Sequence, residues 1–236
     1  MTHMPVGGTA NWVNGNHDQS RLASRVGAER VDAMNLLALL LPGIAVTYQG
    51  EEIGMTDGFV SWEDTKDPQA VNTGDPVSYL RKSRDPERTP YHWDGSRNAG
   101  FTNGSSTWLP IAHNYRTVNL ARQMEDSNSH YHFYRDLAAI KKTPAVRYGD
   151  LETRALSDSI LVVIRLLPDT PVVAGIVNLG EEETVDLSCV KLLPTSFKVI
   201  ATGVGCSLQK GTLLSKSNIE MSGHCALVLQ SLNNCC

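Results

Sequence analysis

The chain has 236 residues, a net charge of −4 and a pI near 6.0, with 41% hydrophobic, 19% charged and 6% aromatic residues. That is enough for one large or two modest domains with a sizeable core, and the lack of a basic excess argues against nucleic acid or an anionic membrane as a partner. The longest apolar run, residues 34–44, is broken by Asn35, Pro42 and Gly43 and is too short to span a bilayer, so no transmembrane segment is expected.

The first residues, Met1 to Pro5, form neither a basic leader nor an apolar signal core. A short buried strand is predicted over 10–13, running into the polar cluster Asn16-His17-Asp18-Gln19 and Arg21. Residues 28–41 carry apolar side chains at Val31, Met34, Leu37, Ala38 and Leu41, which is helical spacing, and Pro42-Gly43 stops the helix. Residues 44–48 (IAVTY) are rich in β-branched side chains and predict a second buried strand, followed by Gln49-Gly50-Glu51-Glu52. Strand, helix and strand, with polar residues after each strand, is the grammar of a parallel sheet, in which chemistry collects at the carboxyl ends of the strands.

Residues 51–128 form a very long connection rich in Asp, Pro, Gly, Asn and Ser. Its aromatic residues, among them Trp62, Tyr79, Tyr91, Trp93, Phe101 and Trp108, argue for order and a functional loop rather than disorder. A helix over 130–142 follows, with Phe133, Leu137 and Ile140 on one face. Beyond Pro144 the pattern becomes short apolar alternations separated by turn residues. Strands are predicted over 160–167, 172–179, 184–187, 197–201 and 219–229, which make a small antiparallel β-sandwich.

The five cysteines, Cys189, Cys206, Cys225, Cys235 and Cys236, lack zinc-ligand spacing. Buried thiols and one or two disulfides of a secreted module both remain open. Asn103-Gly104-Ser105 is a glycosylation sequon, which is informative only for a secreted chain.

Three stretches carry candidate chemistry. Asn16-His17-Asp18 offers a carboxamide, an imidazole and a carboxylate at a strand end, suited to sugar hydroxyls, to developing charge or to a metal. The simpler reading is that Asp18 caps the next helix and His17 bonds to backbone. In "SRDPERTPYHW" (83–93), Arg84 and Arg88 lie four apart around Asp85 and Glu87, and arginine forks suit ligand oxygens. Read alone, a solvated salt-bridge loop is the simpler account, and Trp93 is expected to pack that loop. Glu51 and Glu52 in "YQGEEIGM" (48–55) read as structural partners rather than acid/base residues.

The stretches "NWVNGNHDQSR", "YQGEEIGM" and "SRDPERTPYHWDGSRNAGF…WLP…NYRTVNLARQ", in this order and with these gaps, resemble the C-terminal half of α-glucosidases of the α-amylase superfamily (glycoside hydrolase family 13), insect maltases in particular. The resemblance covers most of residues 4–145. It implies an α/β fold: residues 1–145 as the C-terminal portion of a (β/α)8 TIM barrel, comprising strands seven and eight, the long active-site loop and the last helix, and residues 146–236 as a β-sandwich domain. It implies retaining hydrolysis of terminal α-1,4-linked glucose by a nucleophile, an acid/base and a third carboxylate. Asp18 matches the third carboxylate, a transition-state stabiliser. His17, Arg84 and Arg88 match substrate-binding positions. The nucleophile and the acid/base belong to earlier barrel strands in this family, so a fragment with only the last two strands is expected to be inactive alone.

No cofactor is implied for the residues present, although calcium is allowed in a full-length protein. Small α-glucosides such as maltose or sucrose are the implied substrates, and a secreted or extracellular location is implied for the full-length protein. The rival is a non-catalytic heavy-chain subunit of an amino-acid transporter, which shares the barrel and sandwich. His17, Asp18 and Arg84 together favour the glycosidase.

Overall fold

The computed structural model describes residues 5–190 and 193–234. In chain order the elements are β1 (Asn11–Val13), α1 (Leu22–Val26), α2 (Val31–Leu40), β2 (Ile44–Val46), α3 (Pro68–Val71), α4 (Leu120–Glu125), α5 (His130–Ile140) and α6 (Pro144–Tyr148). The strands β3 (Asp150–Ala155), β4 (Ile160–Leu166), β5 (Pro171–Asn178), β6 (Glu183–Val185), β7 (Ser196–Thr202), β8 (Leu213–Ser215), β9 (Ile219–Met221) and β10 (Ala226–Asn234) complete it. The chain divides into two compact units. One holds Met1–Val13, Asp32–Val46 and His132–Cys236; the other holds Asn14–Val31 and Thr47–Tyr131.

In the first unit, β1 and β2 pair in parallel with Asn11 opposite Ile44 and Val13 opposite Val46. Trp12 Nε1 donates to Pro42 O at 2.9 Å, fixing the turn at which α2 stops. These are the two parallel strands expected from the sequence, each somewhat shorter than predicted, but they are not buried as expected: Val13, Ile44 and Val46 are exposed and only Trp12 and Ala45 are partly covered. The predicted helix over 28–41 is divided, because residues 28–30 form a 3-10 turn before α2 begins at Val31.

From Asp150 onward the strands form a six-stranded antiparallel sheet in the order β3-β4-β5-β10-β7-β8 and a two-stranded sheet of β6 and β9. Even-numbered side chains of the central strands (Ile160, Val162, Ile164, Val172, Ala174 and Ile176) join Val185, Ile219 and Met221 in a core between the two sheets. Odd-numbered ones (Val163, Val173 and Val177) face a second core made with Leu36 and Leu40 of α2, Phe133 and Leu137 of α5, and Val146 of α6. The period-two alternation of a strand thus delivers apolar residues to both faces, which is why β4 and β5 read as unbroken apolar runs. The expected sandwich is present, and its large sheet is covered by helices on its outer face.

Register is shifted twice along β10, once against β5 between Gln230 and Asn234 and once against β7. Leu229 of β10 pairs with Val199, but Val228 pairs with Ala201, so Ile200 is an extra residue in β7. The extra residue turns Phe197 and Val199 toward one core and Ala201 toward the other. Gly175 is required by packing. A Cβ there would lie 2.4 Å from Leu40 Cδ1 and 2.8 Å from Leu36 Cδ2, so α2 sits directly on the bare backbone of β5.

The predicted strand over 219–229 is in fact two strands in different sheets. β9 pairs with β6, and β10 pairs with β5 and β7. The chain changes sheet through Ser222-Gly223-His224-Cys225, with His224 at a positive φ of 57°. The apolar alternation runs on through this turn and conceals it. Edge strands β3 and β8 and helix α6 were not expected: β3 (DLETRA) is too charged to show a buried face, and α6 is a single short turn opened by Pro144.

A disulfide joins Cys206 to Cys225, while Cys189 is a free, exposed thiol. Cys235 and Cys236 lie outside the described residues, as do Met1 to Met4. Among the described residues no helix is long and apolar enough to cross a membrane.

Arg165 is the polar exception in the helix-facing core. Only 1% exposed, it donates from Nη1 to Leu40 O at 2.7 Å and from Nη2 to Gly149 O at 2.6 Å. Lys141 Nζ donates to Leu41 O at 2.8 Å. Both cations lie at the C-terminal end of α2, where helical carbonyls lack internal partners and the helix dipole is negative. Replacing Arg165 by Met keeps much of the apolar stem but leaves the buried Leu40 carbonyl and the partly buried Gly149 carbonyl unmatched. The expected loss is about 2–4 kcal/mol, read as a lower denaturant midpoint of the 236-residue chain; an unchanged midpoint would contradict this role.

Candidate active site

The site residues lie in the second unit. After β1 the chain passes through Asn14-Gly15-Asn16, and Asn16 Oδ1 accepts from Asp18 N at 2.8 Å, an Asx turn that fixes the Asp18 backbone. Asp18 does not cap the helix. The N-cap of α1 is Arg21, which makes no side-chain cap bond. The Arg21 backbone N–H is satisfied by Asp57 Oδ1 at 2.7 Å, and Asp57 Oδ2 also bonds the Ser20 hydroxyl. The capping reading is therefore replaced by a pairing one, because a carboxylate from elsewhere in the chain frees Asp18.

Asp18 instead meets both arginines. Its Oδ1 accepts from Arg84 Nη1 at 3.0 Å and from Arg88 Nη2 at 2.6 Å, and Arg88 Nε donates to His17 O at 2.7 Å. The His17 ring is 67% exposed, with Nε2 3.5 Å from Asp18 Oδ2. The structure thus gathers His17, Asp18, Arg84 and Arg88 into one contact group, although 66 residues separate Asp18 from Arg84 in sequence. Partial desolvation acts to raise the Asp18 pKa. The Arg88 hydrogen bond, with His17 and Arg84, outweighs it and holds the carboxyl below its ordinary value. The two arginines thus favour the charged form of the Asp18 carboxyl.

Arg84 is held from behind by a residue the sequence did not single out. Asp67, 1% exposed, accepts from Arg84 N at 2.8 Å, Nε at 2.9 Å and Nη2 at 2.7 Å, and also caps α3 through Gln69 N at 3.1 Å. Asp67 is fixed in turn by Asp85. The fully buried Asp85 Oδ2 accepts from Thr65 Oγ1 at 2.7 Å, Lys66 N at 2.7 Å and Asp67 N at 2.9 Å. The stretch 83–93 is therefore not a solvated salt-bridge loop. Its Asp85 is an internal scaffold and its two arginines point at Asp18.

Arg21, 2% exposed, ties the remaining segments together. It donates to Gln49 O at 2.6 Å and to Thr89 O at 3.1 Å, with its guanidinium 5.2 Å from the Tyr48 ring centroid. Gly50 (φ 95°) makes room, since a Cβ there would lie 2.7 Å from Arg21 Nη1. Glu52 accepts from Gly50 N and Tyr91 OH, each at 2.8 Å, and Glu51 accepts from Tyr48 N at 3.2 Å. Both glutamates brace the turn after β2. Burial pushes the Glu51 carboxyl up to about 7. Trp93, expected to pack, is half exposed against Tyr91, with ring centroids 4.7 Å apart.

Asp18 and Arg84 border an open cleft of about 620 Å³, whose other walls include Asp57, Gln69, Lys82 and Glu87. Burial, reinforced by nearby Asp57, raises the Glu87 carboxyl to about 7. The cleft is polar and its walls carry both signs of charge. Among the described residues no group of three or more His, Cys, Asp or Glu is placed to hold a metal.

Asp67 and Glu87 oppose each other in pH dependence. The Arg84 hydrogen bond holds the Asp67 pKa far below its ordinary 3.8, so its stabilisation is complete above that value and is lost as pH falls toward the folded-state pKa. The Glu87 pKa rises from 4.5 to about 7, so its charging weakens the fold as pH climbs between those values. Asp67→Asn should cost about 1.5–3 kcal/mol at neutral pH and flatten the acid side of the stability curve. Glu87→Gln should flatten the rise-side loss instead. Urea midpoints measured across the acid-to-neutral range check both, and parallel curves for wild type and either variant would contradict the assignment.

The family description "Alpha amylase, catalytic domain" matches residues 1–149. Maltase A1 of Drosophila melanogaster is 41% identical over 230 residues, covering 97% of this chain and 40% of that protein. Salivary alpha-glucosidase of Anopheles gambiae is 40% identical over 233 residues, covering 97% and 39%. The crystal structure of Bacillus licheniformis trehalose-6-phosphate hydrolase superposes with a TM-score of 0.75 at 27% identity, covering 95% of this chain and 43% of that one. The chain spans about two fifths of the length of the curated relatives it matches. With that match over more than half its length and an α/β architecture to fit, the chain belongs to the α-amylase family of glycoside hydrolases and is similar to the insect maltases.

Proposed function

We propose that the protein of which these residues form part is a secreted maltase-type α-glucosidase, hydrolysing terminal α-1,4-linked glucose from small α-glucosides with retention of configuration. The observation that carries this reading is the Asp18 carboxylate, kept anionic by Arg84 and Arg88 beside an exposed His17 at the rim of a polar cleft. Cleavage of a glucoside develops positive charge on the ring, in an oxocarbenium-like transition state. A fixed anion lowers the energy of that charge, and a lowered pKa keeps it an anion. Asp18 is thus the transition-state stabiliser. His17 and Arg84 bind hydroxyls of the same glucose, and Arg88 orients Asp18 while holding the His17 carbonyl. The nucleophile and the acid/base are assigned, on the family's chemistry, to carboxylates other than those of this chain.

Secretion is supported by the Cys206–Cys225 disulfide, which persists in oxidising compartments, and by the salivary relatives.

In the intact enzyme, Asp18→Asn should lower kcat by about 10³-fold with little change in thermal midpoint, while Arg84→Lys should mainly raise KM. Near-normal turnover in Asp18→Asn would remove Asp18 from this role. The 236-residue chain, which contributes only one of the three carboxylates, should not hydrolyse a chromogenic α-glucoside; activity above blank that survives purification to homogeneity would overturn that expectation.

A further inference from the structure

Asn103, Gly104 and Ser105 lie on an exposed bend in the second unit. The bend is held from its inner side. Arg97 Nη2 donates to Ser105 O at 2.8 Å, Asn98 Nδ2 to Gly104 O at 2.9 Å, and Gly104 N to Thr102 Oγ1 at 3.1 Å. Asn98 and Ala99, both at φ 55°, adopt a left-handed conformation unusual for non-glycine residues to bring those donors into place. All of these bonds use the backbone of the bend. Among the described residues, neither the Asn103 carboxamide nor the Ser105 hydroxyl has a hydrogen-bond partner, so both side chains are presented to solvent on a fixed backbone.

A second cleft, of about 300 Å³, opens alongside. Its lining includes Asp64, Asn98, Ser105, Ser106, Trp108 and Pro110. Trp108 is 69% exposed, and Phe101, on the other flank of the bend, is 50% exposed. Large aromatic faces left open beside polar groups mark a surface that something amphipathic covers. A pyranose is amphipathic in this way, with C–H groups on its faces and hydroxyls on its rim. Two of the cleft residues, Ser105 and Ser106, directly follow the Asn103-Gly104 pair, so a sugar rooted at Asn103 has the cleft beside it.

We propose that Asn103 carries an N-linked glycan whose innermost N-acetylglucosamine residues lie over Trp108. The donor is a lipid-diphosphate-linked oligosaccharide of the secretory lumen. The Asn103 Nδ2–C1 bond forms as the sugar C1–O bond to the diphosphate breaks; the lipid diphosphate leaves with the bonding pair, and one amide proton passes to the transferase. The Ser105 hydroxyl completes the acceptor sequence. This inference rests on the secretory reading above, and the test separates the two.

The intact protein is expressed in insect cells and recovered from medium and cytosol. Endoglycosidase digestion and peptide mass measurement are then applied to the segment containing Asn103. The expected result is protein in the medium with one removable glycan at Asn103, abolished by Asn103→Gln and by Ser105→Ala but kept by Ser105→Thr. Secreted protein with an unmodified Asn103 overturns the glycan, whereas protein confined to the cytosol with Cys206 and Cys225 reduced overturns the secretory reading beneath it. For the contact with Trp108, Asn103→Gln should lower the thermal midpoint in the wild-type background and leave it unchanged in a Trp108→Ala background. Equal shifts in the two backgrounds overturn the packing of the sugar on Trp108.

Discussion

A single buried carboxylate organises the second unit. Asp85 receives the Thr65 hydroxyl and the backbone N–H groups of Lys66 and Asp67 on one oxygen, in a place that water does not reach. A buried carboxylate oxygen needs hydrogen-bond partners, and the three donors to Oδ2 come from one short segment, so satisfying that oxygen fixes the segment's path, while Oδ1 has no partner among the described residues. The fixed path sets Asp67, Asp67 sets Arg84 through three hydrogen bonds, and Arg84 sets one side of Asp18. The remaining hold on Asp18 comes through Arg88, two residues past Pro86 in the same 3-10 turn.

The first unit is organised by a different constraint, the burial of both faces of its central strands. Alternate residues of β4 and β5 feed two cores, so neither face can slip by one residue without exchanging its contacts. Gly175 and Arg165 mark where this sheet meets α2, one by removing a side chain and the other by supplying donors to the helix end. Apolar packing and a few placed polar groups share the task unequally. Packing sets the layers, and the polar groups set where helix α2 may end.

Much of this was legible in the residues. The helical spacing around Val31 to Leu41, its Pro42-Gly43 stop and the β-branched run after it are local signals, and local signals survive folding. Asp18, Arg84 and Arg88 were singled out through their order and gaps in three motifs. What stayed hidden depended on distance through space. Asp67 sits in an unremarkable KDPQ stretch, and nothing local marks it as the partner of Arg84, 17 residues away. Asp57 likewise took over the α1 backbone donor for which Asp18 had seemed suited. The split between β9 and β10 was masked because apolar alternation carried on through the turn, while only the sheet partner of each strand changed.

The three bonds from Asp67 to Arg84 have a consequence for affinity. A free arginine carries roughly 2 kcal/mol of rotamer entropy, and a ligand that immobilises such a side chain must overcome that cost. Here the cost has already been met in folding, because the guanidinium is locked with Nη1 directed at Asp18. On the proposed function, a neutral glucoside with only hydroxyl contacts to offer would therefore meet a preorganised Arg84 and keep more of its interaction energy for the contact itself.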